Sequence, residues 1–124
     1  MSLYEVNVEH EFPARHAVRL PDGTLEPPHL HNWRVTACFR AERLDEAGLV
    51  VDFIQVQEAM RTITADLRGH DLNEVPELAG PGTSAEAVAQ LLATRLGRAM
   101  GCRVYRLAVT EAPGCTAAYY PDGA

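Results

Sequence analysis

Tyr4, Val6, Val8, His10 and Phe12 alternate with Glu5, Asn7, Glu9 and Glu11. A period of two puts one set on one side of an extended chain, so this segment predicts a half-buried strand. His10 falls on the apolar side and reads as a packed core or interface histidine. Trp33, Val35, Ala37, Phe39 and Ala41 repeat the pattern and predict a second strand. Between them, residues 13–30 hold Pro13, Pro21, Asp22, Gly23, Pro27 and Pro28. That is the chemistry of a long, rigidified loop. Loops of that length in a small domain are usually functional or disordered.

Gly48 marks a turn, and Asp52 suits a helix N-cap. Beyond it Phe53, Val56, Met60, Ile63 and Leu67 recur at steps of three and four, one face of a helix of about five turns. The stretch PGTSAEAVAQLLATRLGRAMG predicts a second helix. Thr83 and Glu86 have capping-box spacing. Val88, Leu91, Leu92, Leu96 and Ala99 form its inner face, and Gly101 suits its stop. RVYRLAVTE and TAAYY predict a third and a fourth strand around Pro113 and Gly114. The order β-β-α-α-β-β predicts an α+β fold, a four-stranded antiparallel sheet with two helices on one face. Such a sheet leaves two edges and one face uncovered, so assembly of several copies through the sheet is expected.

Composition narrows the function classes. The 124 residues suit one domain over 1–124. A net charge of -6 gives no reason to expect nucleic acid or an anionic membrane as partner. The longest apolar runs are a few residues, far short of a membrane span. The opening MSLYEVNVEHEF has neither a basic nor an apolar leader region, which predicts no secretory signal. Cys38, Cys102 and Cys115 are odd in number and unpatterned, which suits a reducing cytoplasm.

The densest chemistry is EPPHLHNW, residues 26–33, where His29 and His31 stand one residue apart. In a strand, positions i and i+2 point to the same side, roughly 6.6 Å apart, so two imidazoles can converge on one ion. Three protein ligands with an open fourth position make a catalytic zinc site, and His16, across the proline-rich loop, is a candidate third. The spacing alone leaves a metal site, a catalytic site and a coincidence of composition open.

FPARH (12–16), HLHN (29–32), GLVVDF (48–53), LRGHDLNEVP (67–76), TSAE (83–86) and TEAPGCTAAYY (110–120) run in order along nearly the whole chain. Together they resemble the landmarks of the 6-pyruvoyl-tetrahydropterin synthase and 6-carboxytetrahydropterin synthase family. The resemblance implies the tunnelling fold and homohexamers built as a dimer of trimers. It implies Zn2+ on His16, His29 and His31, although Leu30 stands where the family has glycine. It also implies that Glu111 anchors a reduced pterin ring, whose two-donor edge suits a carboxylate.

Two departures bear on activity. The family's base cysteine is missing; its usual positions hold Gly23 and Leu25. Glu26 instead fits the Glu-x-x-His spacing of a subgroup that cleaves 7,8-dihydroneopterin triphosphate to 6-hydroxymethyl-7,8-dihydropterin. Between prolines, a pKa raised toward neutrality is expected for it as the base. The family's Asp-His relay positions hold Arg68 and Gly69, and His70 and Asp71 follow as a displaced candidate relay. Arg15, Arg19, Arg34 and Arg68 are candidate phosphate partners. The leading expectation is a zinc-dependent cytoplasmic lyase or synthase on that pterin triphosphate. The alternatives are 6-carboxytetrahydropterin synthesis, as in the queuosine pathway, and an inactive zinc- and pterin-binding module.

Overall fold

Strand β1 (Tyr4–His16) runs four residues past Phe12, and β2 (His29–Ala41) begins at the first histidine of the pair. The two are antiparallel in unbroken register, from Tyr4 opposite Ala41 to His16 opposite His29. The predicted loop over 13–30 therefore shrinks to residues 17–28. Pro13 does not stop the strand because β1 is an edge. Its carbonyl points outward and accepts from Gly69 N–H at 2.7 Å. The N–H that proline lacks would face the same edge, so no bond to β2 is lost. This computed structural model describes residues 2–123. Met1 and Ala124, the ends of the expected 1–124 domain, lie outside the described residues.

Strand β3 (Arg106–Ala112) pairs with β2, and β4 (Cys115–Tyr119) pairs with β3, giving the antiparallel order β1-β2-β3-β4. Helices α1 (Phe53–Thr64) and α2 (Ala85–Met100) lie between the two strand pairs in sequence. Both pack on one face. Val8, Phe12, Trp33, Val35, Leu107 and Val109 of the sheet share a buried cluster with Val56, Met60, Val88, Leu92 and Leu96. The opposite face carries the ion pairs Glu5–Arg40 and Glu11–Arg34. This is the α+β architecture expected from the pattern of apolar positions. No helix among the described residues is long and apolar enough to cross a membrane.

Local details differ from the sequence reading. Asp52 caps α1 as expected, accepting from Ile54 N–H at 2.9 Å. The helix stops at Thr64, short of five turns, and Leu67 reaches the core from the turn that follows. Phe53, at the first helical position, stays 56% exposed. Ser84, not Thr83, caps α2, and its hydroxyl accepts from Ala87 N–H. The Thr83–Glu86 capping box does not form, because the Thr83 hydroxyl is drawn to Ala17 O instead. Ala89 and Ala93 fill the inner face of α2, while Ala99 is exposed. Gly101 ends it at φ 64°, the left-handed geometry that glycine adopts without strain.

The free edge of β1 is partly covered near its end. Gly69 N–H and the His70 carbonyl bond to Pro13 and Arg15, and Asp71 forms a parallel bridge to Arg15. Gly69 has φ +76°, which lets the chain turn onto that edge. His10 is half-buried on the inner face, as expected. Its Nε2 lies 2.9 Å from the Thr64 hydroxyl, whose own proton goes to Met60 O.

Candidate functional site

Strand parity gathers the site. His16 continues the inward-facing series Phe12 and Ala14, and His29 and His31 continue that of Trp33 and Val35. All three rings therefore meet at one end of the helix-covered face. Their centroids are 5.1 Å (His16–His31), 5.5 Å (His29–His31) and 5.9 Å (His16–His29) apart. His16 is fully buried and meets Trp33 edge to face at 4.8 Å. Trp33 is fixed in turn by its Nε1–H, which donates to Ala14 O.

Glu111 enters from β3. Thr110 pairs with Thr116, and the next pair is Ala112 with Cys115, so Glu111 is the extra residue of a β-bulge. It also continues the inward-facing series Leu107 and Val109 of β3. The Glu111 carboxylate comes within 2.5 Å of His16 Nε2 and 3.4 Å of His31 Nε2, both through Oε1. His16 Nδ1 is 2.7 Å from Thr83 O. A carbonyl only accepts, so Nδ1 carries the proton and Nε2 of the neutral ring keeps its lone pair. That Nε2 is buried and has no hydrogen-bond partner among the described residues; its approach to Glu111 lacks hydrogen-bonding geometry. A bare nitrogen pressed against a carboxylate is relieved by a cation between them. His16, His31 and Glu111 offer ligand atoms all within 4.8 Å of one another. Imidazole nitrogens with a carboxylate oxygen fit zinc.

The third expected metal histidine stands at the rim of this set. His29 Nε2 meets Glu26 Oε1 at 2.9 Å, and its side chain is 42% exposed. The same Glu26 oxygen accepts from Val18 N–H at 3.0 Å. Those contacts, the Val18 N–H first and His29 second, hold the Glu26 carboxyl below its ordinary pKa. The expected upward shift is therefore corrected. Pro27 and Pro28, which follow it and are exposed, do not bury Glu26 deeply enough to outweigh the hydrogen bonds it accepts.

His70 and Asp71 are engaged elsewhere. The exposed His70 ring bonds through Nδ1 to Arg68 O. Asp71 caps a short 3-10 turn (Leu72–Glu74) by accepting from Asn73 N–H. Of the four candidate arginines, Arg34 borders the site while paired with Glu11. Arg68 donates to Glu11 O, and Arg19 to Gly23 O. A cavity of about 340 Å³ opens beside the cluster, lined by Leu30, His31, Asn32, Thr110, Glu111 and Pro113. It lies where β2 runs on beyond its last pair with β3, Arg34 with Thr110. Sequence reasoning missed two contributors, Asn73 and Thr83. Both lie in the LNEVP and TSAE landmarks, but nothing in their spacing says that they meet at Ala17.

The model for 6-pyruvoyl tetrahydropterin synthase matches residues 5–122. The chain belongs to the 6-pyruvoyl tetrahydropterin synthase family. Its fold is similar to that of the Caenorhabditis elegans 6-pyruvoyl tetrahydropterin synthase, with TM-score 0.83, 18% identity, and coverage of 97% of this chain and 96% of that one. The Plasmodium vivax synthase is similar too, at TM-score 0.76 and 19% identity over 96% and 98%. So is a catalytic-residue mutant of that Plasmodium vivax enzyme in which alanine replaces a glutamate, at TM-score 0.75 and 18% identity over 96% and 98%. No sequence among curated proteins matches. The 6-pyruvoyl tetrahydropterin synthase family and its fold support a tetrahydropterin-synthase-like function, and the metal use of that family agrees with the His-His-Glu set found here.

Proposed function

We propose that this chain is a zinc-dependent lyase that cleaves the side chain of 7,8-dihydroneopterin triphosphate and leaves 6-hydroxymethyl-7,8-dihydropterin. The observation that carries this reading is the buried His16 Nε2, unpartnered and facing His31 and Glu111, with the Glu26–His29 pair alongside. His16 and His31 would hold the ion, and His29, exposed enough to turn away from Glu26, would complete the set. Zinc lowers the pKa of a hydroxyl bound to it.

The remaining work falls to the chain. Glu26, with its pKa lowered, is a carboxylate at neutral pH and ready to take a proton. It would remove the proton of the side-chain hydroxyl next to the one nearest the ring. The C–C bond between those two carbons breaks, and its electron pair moves onto the carbon attached to the ring. That carbon is then protonated, and the remainder departs as the triphosphorylated aldehyde. Glu111 would accept hydrogen bonds from the amino and ring N–H donors, in a cavity of a size ordinary for a small ligand. A glutamate is also the residue replaced in the Plasmodium vivax catalytic-residue mutant, which supports a carboxylate in the base role. The engagement of Asp71 with Asn73 N–H argues for a structural role for the His70–Asp71 pair.

Incubating the zinc-loaded protein with 7,8-dihydroneopterin triphosphate tests this reading. 6-Hydroxymethyl-7,8-dihydropterin is the expected product. A 6-carboxy product would move the chain to the alternative synthase reaction. Tight binding without turnover would make it a zinc- and pterin-binding module.

A further inference from the structure

Of the three clustered histidines, only His16 has a protein partner for its Nδ1 among the described residues. That partner is the Thr83 carbonyl, and Thr83 is itself buried. Its hydroxyl donates to Ala17 O at 3.0 Å, one residue after His16. Asn73 grips the same residue. Its Oδ1 accepts from Ala17 N–H at 2.8 Å, and its Nδ2 donates to Ala17 O at 3.0 Å. Asn73 is anchored through its own N–H to the Asp71 carboxylate at 2.9 Å. Ala17 lies just beyond the last pair of β1 with β2, where the ladder ends. Side chains from two distant turns therefore do there what a neighbouring strand does elsewhere.

We propose that Thr83 and Asn73 are positioning residues for the metal centre: together they fix the backbone after His16 and the carbonyl that holds its ring. Asp71 is the outer support of this arrangement. The proposal rests on the metal reading given above and deepens it. A metal-binding histidine whose far nitrogen is held by a carbonyl is locked in one tautomer and one orientation, and losing such support typically lowers metal affinity about 10- to 100-fold. His29 and His31 lack that support among the described residues, so the rigidity of the set is concentrated in His16.

The test is zinc affinity by chelator competition, with the visible spectrum of the cobalt-loaded protein, for the parent, Thr83→Val, Thr83→Ser and Asn73→Leu. Thr83→Val keeps the carbonyl and the volume but removes the hydroxyl that anchors it. A fall in zinc affinity of about tenfold or more is expected for Thr83→Val, with an altered cobalt spectrum and recovery of both in Thr83→Ser. Asn73→Leu is expected to fall likewise. A merely structural role would lower thermal stability and leave the affinity and the spectrum of the folded protein unchanged. Thr83→Val or Asn73→Leu binding zinc within twofold of the parent, with the parent's cobalt spectrum, overturns the proposal and leaves the metal reading standing. A parent that binds neither ion overturns both.

Discussion

Glu111 is the residue of β3 that the β4 ladder skips, and its Oε1 lies 2.5 Å from the buried Nε2 of His16. Two electron-rich atoms at that distance, without a hydrogen bond, call for a cation or for a ligand that draws the carboxylate away. Two roles thus compete for Glu111, metal ligand and ring anchor, and the neighbouring His29 decides between them. If His29 turns onto the ion, Glu111 is released for the ring. On that account His16→Ala, His29→Ala and His31→Ala each lose zinc sharply, because a two-ligand site binds weakly. Glu111→Ala keeps zinc but loses pterin affinity by roughly 30- to 4,000-fold, the equivalent of about 2–5 kcal/mol for a buried charged hydrogen-bonding partner. Metal analysis and titration with one pterin check all four. Zinc retained in His29→Ala and lost in Glu111→Ala would make His16, His31 and Glu111 the resident set.

Glu26→Gln is expected to keep fold and zinc and to lose turnover by about 10²- to 10⁴-fold, the usual contribution of a general base. Glutamine preserves the bond from Val18 N–H but accepts no proton at neutral pH. Product formation in single-turnover mixing is the measurement. A parental rate in Glu26→Gln would reduce Glu26 to a loop carboxylate.

The sheet, the helix order and the inward side of His10 were legible in the sequence because strand and helix periods are local properties of the chain. Alternation placed Val8, Phe12, Trp33 and Val35 on one face, and the core contains all four. Three things were not legible. Pro13 read as a strand end, because only the final sheet reveals β1 as an edge whose outer side needs no N–H there. The bulge at Glu111 is announced by no residue pattern, although its inward aim continues the series Leu107 and Val109. The grip of Asn73 and Thr83 on Ala17 joins residues more than 50 positions apart, and such contacts follow from tertiary packing alone.

Gly69 tests the edge strap. At φ +76° no side chain clashes with a Cβ, so the cost of Gly69→Ala is the backbone conformation itself, about 1 kcal/mol. Denaturant unfolding of the variant should show that loss. Hydrogen exchange at Arg15 N–H should accelerate, since that amide bonds to the His70 carbonyl. Unchanged stability and protection would mean that the strap adds nothing to the edge.

A homohexamer is expected in solution. Among the described residues, the rest of the β1 edge and the whole of β4's outer edge have no strand beside them, and unpaired edges invite pairing with other copies. Light scattering should return six times the 13.6 kDa chain mass. A stable monomer at micromolar concentration would contradict the assembly.

His10 gives a pH dependence away from the metal cluster. Burial, then the Arg68 and Arg61 guanidiniums, lower its pKa below the ordinary 6.5, while Glu11 opposes them. The folded chain thus releases the His10 proton more readily than the unfolded chain does. Where the unfolded state binds more protons, stability rises with pH. The contribution is complete above the unfolded value near 6.5, declines as pH falls below it, and levels off beneath the lowered folded value. The neutral ring also donates to the Thr64 hydroxyl, whose own proton is committed to Met60 O. His10→Gln keeps a donor for Thr64 and removes the titration. Urea unfolding of the metal-free protein between pH 7.5 and 5 is therefore expected to show a steeper loss of stability in the parent than in His10→Gln. Parallel profiles for the two would show that His10 titrates alike in the folded and unfolded chains and that its burial carries no electrostatic cost.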